Sequence, residues 1–179
     1  MNTTNGTKQK YYGKYAGTVV QNIDPKQQGR LQLLIPDVLA YVPSTWAEAC
    51  LPLTGAPGLT AATYFVPPMG AGVWVEFEYG DSNRPIWVGC RISSRGDVPA
   101  MALATPPATP PIILQSITQN KVILSSVPGD GITLETARGP TGPSIKITAV
   151  GIIISDGQAM ITLMGGVVTI NKGALVITQ

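Results

Sequence analysis

The chain has 179 residues, of which 44% are hydrophobic and only 12% charged, with a net charge of +2 and no histidine. So much apolar surface excludes a disordered chain, and the absence of a basic run argues against a nucleic-acid footprint. Without histidine, Ser-His-Asp and Cys-His catalysis and the usual His-containing zinc sites are ruled out.

Residues 1–14, "MNTTNGTKQKYYGK", read as a polar, Tyr-containing arm. They lack the apolar core of a secretory signal. No apolar run approaches the roughly 18–20 residues of a membrane span. The chain reads as one made and folded in the cytosol, where Cys50 and Cys90 are expected to stay reduced, as small buried hydrophobes.

Residues 15–95 read as short strands. "YAGTVVQNI" is a strand, "DPKQQG" a turn and "RLQLLIP" a second strand; Asp24-Pro25 favours the turn and Gly29 supplies positive φ at its end. "STWAEACLPL" is a third strand. Residues 72–92 then read as a hairpin around Gly80, Asp81, Ser82, Asn83 and Arg84. A period of two puts Val73, Val75, Phe77 and Tyr79 on one face, and Trp74, Glu76 and Glu78 on the other. Pro85 cannot donate to a ladder, so it opens the return strand. Five short strands in about 80 residues suggest a small closed barrel.

The stretch 96–111, "GDVPAMALATPPATPP", reads as an extended, semi-rigid linker that cannot join a sheet interior. After it, residues 112–179 repeat short β runs separated by turns. Ile132, Leu134, Ile145, Ile147, Ile161, Leu163, Val168, Ile170, Leu175 and Ile177 alternate with threonine or charge. About eight strands near ten residues apart signal a sandwich, a barrel or a β-solenoid. No Phe, Trp or Tyr follows Trp87, so the interior is slim and aliphatic. One chain making a thin wall cannot dry such a set, whereas three chains about one axis can. The pattern predicts an all-β protein: a barrel followed by an intertwined homotrimeric β-helix whose interior holds those ten aliphatics.

Little chemistry is encoded. Glu76 and Glu78 are the one close glutamate pair, and fit the solvated or subunit-facing side of a strand better than a glycosidase dyad. "GAG" at 70–72 precedes a strand, not the helix a dinucleotide fingerprint needs. Trp46, Trp74 and Trp87 could stack the bases of a single strand, but packing is the reading preferred for them. No catalytic residue, metal or cofactor is predicted. An OB-type single-strand binder with an oligomerising tail is the alternative.

The segments "GTVVQNIDPKQQGRLQLLIP", "STWAEACLPLTG" and "FVPPMGAGVWVEFEYGDSNRPIWVGCRIS" resemble the N-terminal OB-fold domain of contractile-tail spikes: phage baseplate assembly protein V and the VgrG proteins of type VI secretion. Gly72, Trp74, Phe77, Gly80, Asp81, Arg84, Pro85 and Gly89 carry the strongest part of the likeness. The resemblance implies a structural spike that caps the inner tube through a trimeric hub and is driven through the target membrane on contraction. It also implies assembly in the cytoplasm and a place in a virion or injection-particle baseplate. The chain departs from relatives by having no lysozyme-like insertion and no His-x-His iron motif near its end. A blunt apolar plateau at Leu175, Val176, Ile177 and Gln179 is therefore expected to take a PAAR-type tip protein.

Overall fold

A computed structural model describes residues 9–55, 62–171 and 174–178, with the side chains of 176–178 left aside. The chain divides into two compact units, Met1–Ser93 and Ser94–Gln179.

The first unit is a five-stranded sheet in the order β2-β1-β4-β5-β3. Its strands are β1 (Tyr15–Gln21), β2 (Gln32–Leu34), β3 (Glu48–Ala49), β4 (Gly72–Phe77) and β5 (Pro85–Arg91). Leu31 and Ala47 exchange both backbone hydrogen bonds, at 3.1 and 2.7 Å, and so join the two ends of the sheet. The result is a closed barrel without a free lateral edge there. Val19, Leu31, Leu33, Ile35, Ala47, Val73, Val75, Phe77 and Trp87 fill it. Trp87 is fully buried, and its indole Nε1 donates to the Gly29 carbonyl at 3.0 Å.

Several elements are shorter than their sequence pattern. The second strand stops at Leu34 because Pro36 opens a helical turn, α1 (Pro36–Leu39), in the position proline favours. The third keeps only Glu48 and Ala49, between Pro43 and Pro52. Tyr79 does not join the inward row. The strand ends at Phe77, Tyr79 takes φ 51° inside a 3-10 turn, and its ring is 74% exposed. Cys50 and Cys90 are free thiols but exposed rather than buried: Cys50 lies just past the two-residue β3, and Cys90 follows the irregularity at Gly89 on β5.

The described part of the arm has a definite seat. Tyr11 N–H donates to the Gly80 carbonyl and Lys10 Nζ to the Tyr79 carbonyl, each at 3.0 Å. Tyr11 and Tyr15 pack their rings against Phe77, and Lys14 pairs with Glu76. Gly80 has φ +72°, which favours glycine, and a Cβ there would come within 3.1 Å of both Tyr11 N and the Tyr12 ring, so a larger residue would press on the arm. The arm thus covers the end of the barrel at Phe77.

The second unit is an eight-stranded antiparallel meander in the order β13-β12-β11-β10-β9-β8-β7-β6. These are β6 (Ile112–Gln115), β7 (Lys121–Leu124), β8 (Ile132–Glu135), β9 (Ser144–Thr148), β10 (Gly151–Ser155), β11 (Met160–Met164), β12 (Val167–Ile170) and β13 (Leu175–Thr178). Residues 96–111 fall in this unit and are not uniformly extended. Ala-Met-Ala-Leu-Ala is helix-favouring, and forms α2 (Ala100–Ala104) behind Pro99. Met101, Thr105 and Pro111 wall a cavity of about 330 Å³ over Ile123, Thr133 and Lys146. The segment therefore lies against one face of β7–β9.

Candidate functional site

The strand register of the second unit aligns its aliphatic residues. Ile112 faces Leu124, Leu124 faces Ile132, Ile132 faces Ile147, and Ile147 faces Ile152. The row continues through Leu163, Val168 and Ile177. A second row runs Leu114, Val122, Leu134, Ile145, Ile154, Ile161, Ile170 and Leu175. Residues two apart on a strand share a face, so both rows stand on one side of the sheet.

That side is uncovered in the single chain. Ile132, Leu134, Ile145, Ile147, Ile161 and Leu163 are each between 37% and 44% exposed, and Leu175 is 52% exposed. A monomer rarely leaves a contiguous apolar surface of this extent open to water. Drying the remaining two-fifths of an aliphatic side chain contributes on the order of 1 kcal/mol, and eleven of the side chains on the rows are exposed to about that degree or more.

The opposite face differs in kind. It carries Thr133, Lys146, Thr162 and Thr169, the last two with hydroxyls in hydrogen-bond contact. Ile123 and Glu135 are buried there, with 8% and 6% exposure. The Lys121 ammonium lies 2.9 Å from Glu135 Oε1. The ion pair is thus sheltered while the aliphatic rows are not, the reverse of an ordinary single-chain domain.

All ten residues expected in a trimer interior lie on the two rows, Ile177 by its backbone position alone. The sequence reading missed Ile112, Leu114, Val122, Leu124, Ile152 and Ile154. The first four belong to strands whose alternation is plain in "IILQ" and "KVIL". Ile152 and Ile154 are hidden in the unbroken run "GIIIS", where periodicity cannot say which isoleucine faces inward. Of the residues expected at a tip contact, Leu175 is exposed at the start of β13. The side chains of Val176 and Ile177, and Gln179 altogether, lie outside the described residues.

In the first unit the hairpin residues form a tight structural device. Glu78 N–H donates to the Arg84 carbonyl at 2.9 Å, and Arg84 N–H to the Asp81 carbonyl at 2.8 Å. Asp81 Oδ1 accepts from Asn83 N–H at 3.1 Å. The Arg84 guanidinium pairs with Glu78 and lies over the Tyr79 ring. Gly72 and Pro85 are buried at the strand starts, Phe77 is in the core, and Gly89 sits opposite Trp74 at a bulge.

A second device is the Asp24 turn. Its carboxylate accepts from the backbone N–H groups of Lys26, Gln28 and Arg30, and from the Arg30 guanidinium at 2.6 Å. The Arg30 guanidinium, then those backbone donors working against burial, hold the Asp24 carboxyl well below the usual carboxylate range. Arg30 in turn lies over the Trp46 ring, 5.4 Å from its centroid.

Glu76 and Glu78 are each engaged by a cation, Lys14 and Arg84. Trp87 is sealed in the barrel and offers no face to a base, whereas Trp74 is 38% exposed beside Arg91. Among the described residues no group of three or more His, Cys, Asp or Glu is placed to hold a metal. No described helix is long and apolar enough to cross a membrane.

Residues 15–91 match the family model of the type VI secretion system/phage-baseplate injector OB domain. Residues 111–176 match that of the phage baseplate V C-terminal trimerisation domain. No curated protein matches the chain. The first match falls on the closed barrel and the second on the meander with its open aliphatic face. A barrel of injector type, followed by a sheet whose apolar side needs further copies to cover it, makes this chain a member of the phage baseplate V family: a trimerising, structural spike component of a phage baseplate or injection system.

Proposed function

We propose that the chain is the central spike of a contractile injection machine, whether a phage tail, a tailocin, a type VI system or an extracellular injection particle. Three copies braid residues 112–179 into an intertwined β-helix, with the ten aliphatics from Ile132 to Ile177 inside it. Residues 15–95 serve as the OB domain that caps the inner tube through a hub. Residues 112–179 point toward the target envelope and pierce it when the sheath contracts. The spike is assembled in the cytoplasm, carries no catalytic residue and binds no nucleic acid.

The observation that carries this reading is the pair of aliphatic rows left open on a trimerisation domain. Work at a membrane demands stiffness, and a closed prism has no lateral edge and spreads load over all its ladder hydrogen bonds. If each strand advances one ladder spacing, the prism is roughly 40 Å long. Such a short prism leaves room for a separate PAAR-type tip on Leu175, Val176, Ile177 and Gln179.

Light scattering of the purified chain tests the core of the proposal. Three copies of 18.8 kDa give about 56 kDa, and that species should persist in SDS without heating. A stable, compact particle at the single-copy mass overturns it. The tip is tested separately: deleting residues 174–179 should abolish capture of a PAAR-type protein while the three-copy mass remains, and undiminished capture rejects that contact.

A further inference from the structure

The strands of the second unit run back and forth, so their connections fall on two lateral flanks. The β7–β8, β9–β10 and β11–β12 turns lie on one flank, and the β6–β7, β8–β9 and β10–β11 loops on the other. The two flanks carry different features.

On the first flank the β9–β10 connection is only Ala149 and Val150, since Thr148 pairs with Gly151. Two-residue hairpins favour Asn, Asp and Gly. The β11–β12 connection keeps to this with Gly165 and Gly166. Val150 does not: it is β-branched and apolar, and it is 68% exposed. Nor does the turn need its side chain. Thr148 Oγ1 donates to the Gly151 carbonyl at 3.1 Å and accepts from Val150 N–H at 3.3 Å. A residue that breaks a local rule without benefit to its own chain is expected where function uses it.

On the second flank a groove of about 520 Å³ opens beside Thr136, Pro143 and Ser144. Its apolar wall is Leu114, Val122, Leu134, Ile145 and Ile154, all members of the second row. The groove is thus continuous with the face that other copies cover. It extends from β6 to β10, and so includes the level of Val150, which joins β9 to β10. Val150 cannot fill the groove of its own chain, because the five residues of β9, about 16 Å of strand, separate the two flanks. A knob on one flank and a groove on the other make a heterologous contact, which closes into a ring when the rotation between copies closes. Copies rotated about an axis along the stack of strands are not displaced along it, so each knob meets its neighbour near its own level.

We propose that Val150 of one copy seats in this groove of the next copy, so that three identical contacts run around the axis. The inference rests on the three-copy reading of the aliphatic face. It adds the direction of the contact and the residue that makes it.

The first test reads a sign. Val150→Asn supplies a residue that a solvated turn favours and that an apolar groove penalises. The thermal midpoint of the full chain should fall by several degrees; a midpoint that holds or rises overturns the inference. The second test locates the partner surface. The full chain with Cys50→Ser and Cys90→Ser receives Val150→Cys and Ser144→Cys, both close in size to the parent residues. It is then treated with a bismaleimide shorter than the roughly 20 Å of strand between these positions in one chain. Linked species of two and three copies should appear on a denaturing gel, and neither substitution alone should link copies. A three-copy mass in light scattering with unlinked chains on the gel overturns the inference. So does linking through Val150→Cys alone, which would mark a contact of Val150 with its own counterpart. Failure of the three-copy reading itself would show earlier, as a single-copy mass in the unsubstituted chain.

Discussion

Asp24 shows what one side chain can organise. Its carboxylate gathers three backbone donors and a guanidinium, so the turn from Asp24 to Arg30 depends on its charge. The folded-state pKa is depressed below the ordinary value of 3.8. The stabilisation is therefore present in full above that unfolded value and is lost as pH falls below it toward the folded value. Asp24→Asn should lower the thermal midpoint at pH 7. The gap between variant and parent should narrow steadily as pH is taken from 4 toward 2, read by circular dichroism melts. A gap that stays constant with pH would mean that the carboxylate charge contributes nothing. The "DP…GR" spelling announced a turn; it did not announce that Asp24 and Arg30 would close on each other, because that needs the chain to double back over six residues.

At the scale of elements, hairpins recur every ten residues or so, and their turns are steeply constrained. Gly131 has φ +67°, and a Cβ there would lie 2.0 Å from the Ile147 carbonyl oxygen. Its own carbonyl accepts from Ser125 N–H at 2.9 Å and so closes the β7–β8 connection. Gly131→Ala should cost more than about 1 kcal/mol, since strain and a backbone clash add to the ordinary penalty of a left-handed alanine. Urea unfolding of the trimeric species measures it, and a midpoint within error of the parent would refute the clash. Alternation made most of these strands legible in the sequence. Element ends were less so. Tyr79 fits the period of two yet lies outside the strand, because the turn closes at Glu78 and Arg84 and tips the next residue into solvent. The helix α2 escaped notice because flanking prolines dominate the composition of its segment.

For the whole molecule, the decisive quantity is how much apolar surface the second unit leaves to its neighbours. Ile145 lies in mid-sheet on the second row, with Leu134 and Ile154 as its cross-strand partners. Ile145→Asp places one carboxylate per copy in the contact, and three brought together at low dielectric repel one another and lose water. The three-copy mass should collapse to single copies or aggregates at pH 7 in light scattering. Thr162→Asp, on the opposite face, should leave the mass unchanged. Equal tolerance of both substitutions would place the contact between copies elsewhere.

The sequence by itself determined the alternation within strands, the barrel-then-repeat order and the aliphatic make-up of the repeat, because each depends on neighbours two residues apart or on composition. Tertiary structure alone decided which two isoleucines of "GIIIS" face the rows, that Lys121 meets Glu135, that the arm seats on Gly80, and that residues 100–111 lie over the sheet. Those outcomes depend on strand register and on contacts between residues far apart in the chain. Local periodicity carries no record of them, since a run of isoleucines reads the same in either phase until hydrogen bonds to its neighbours choose one.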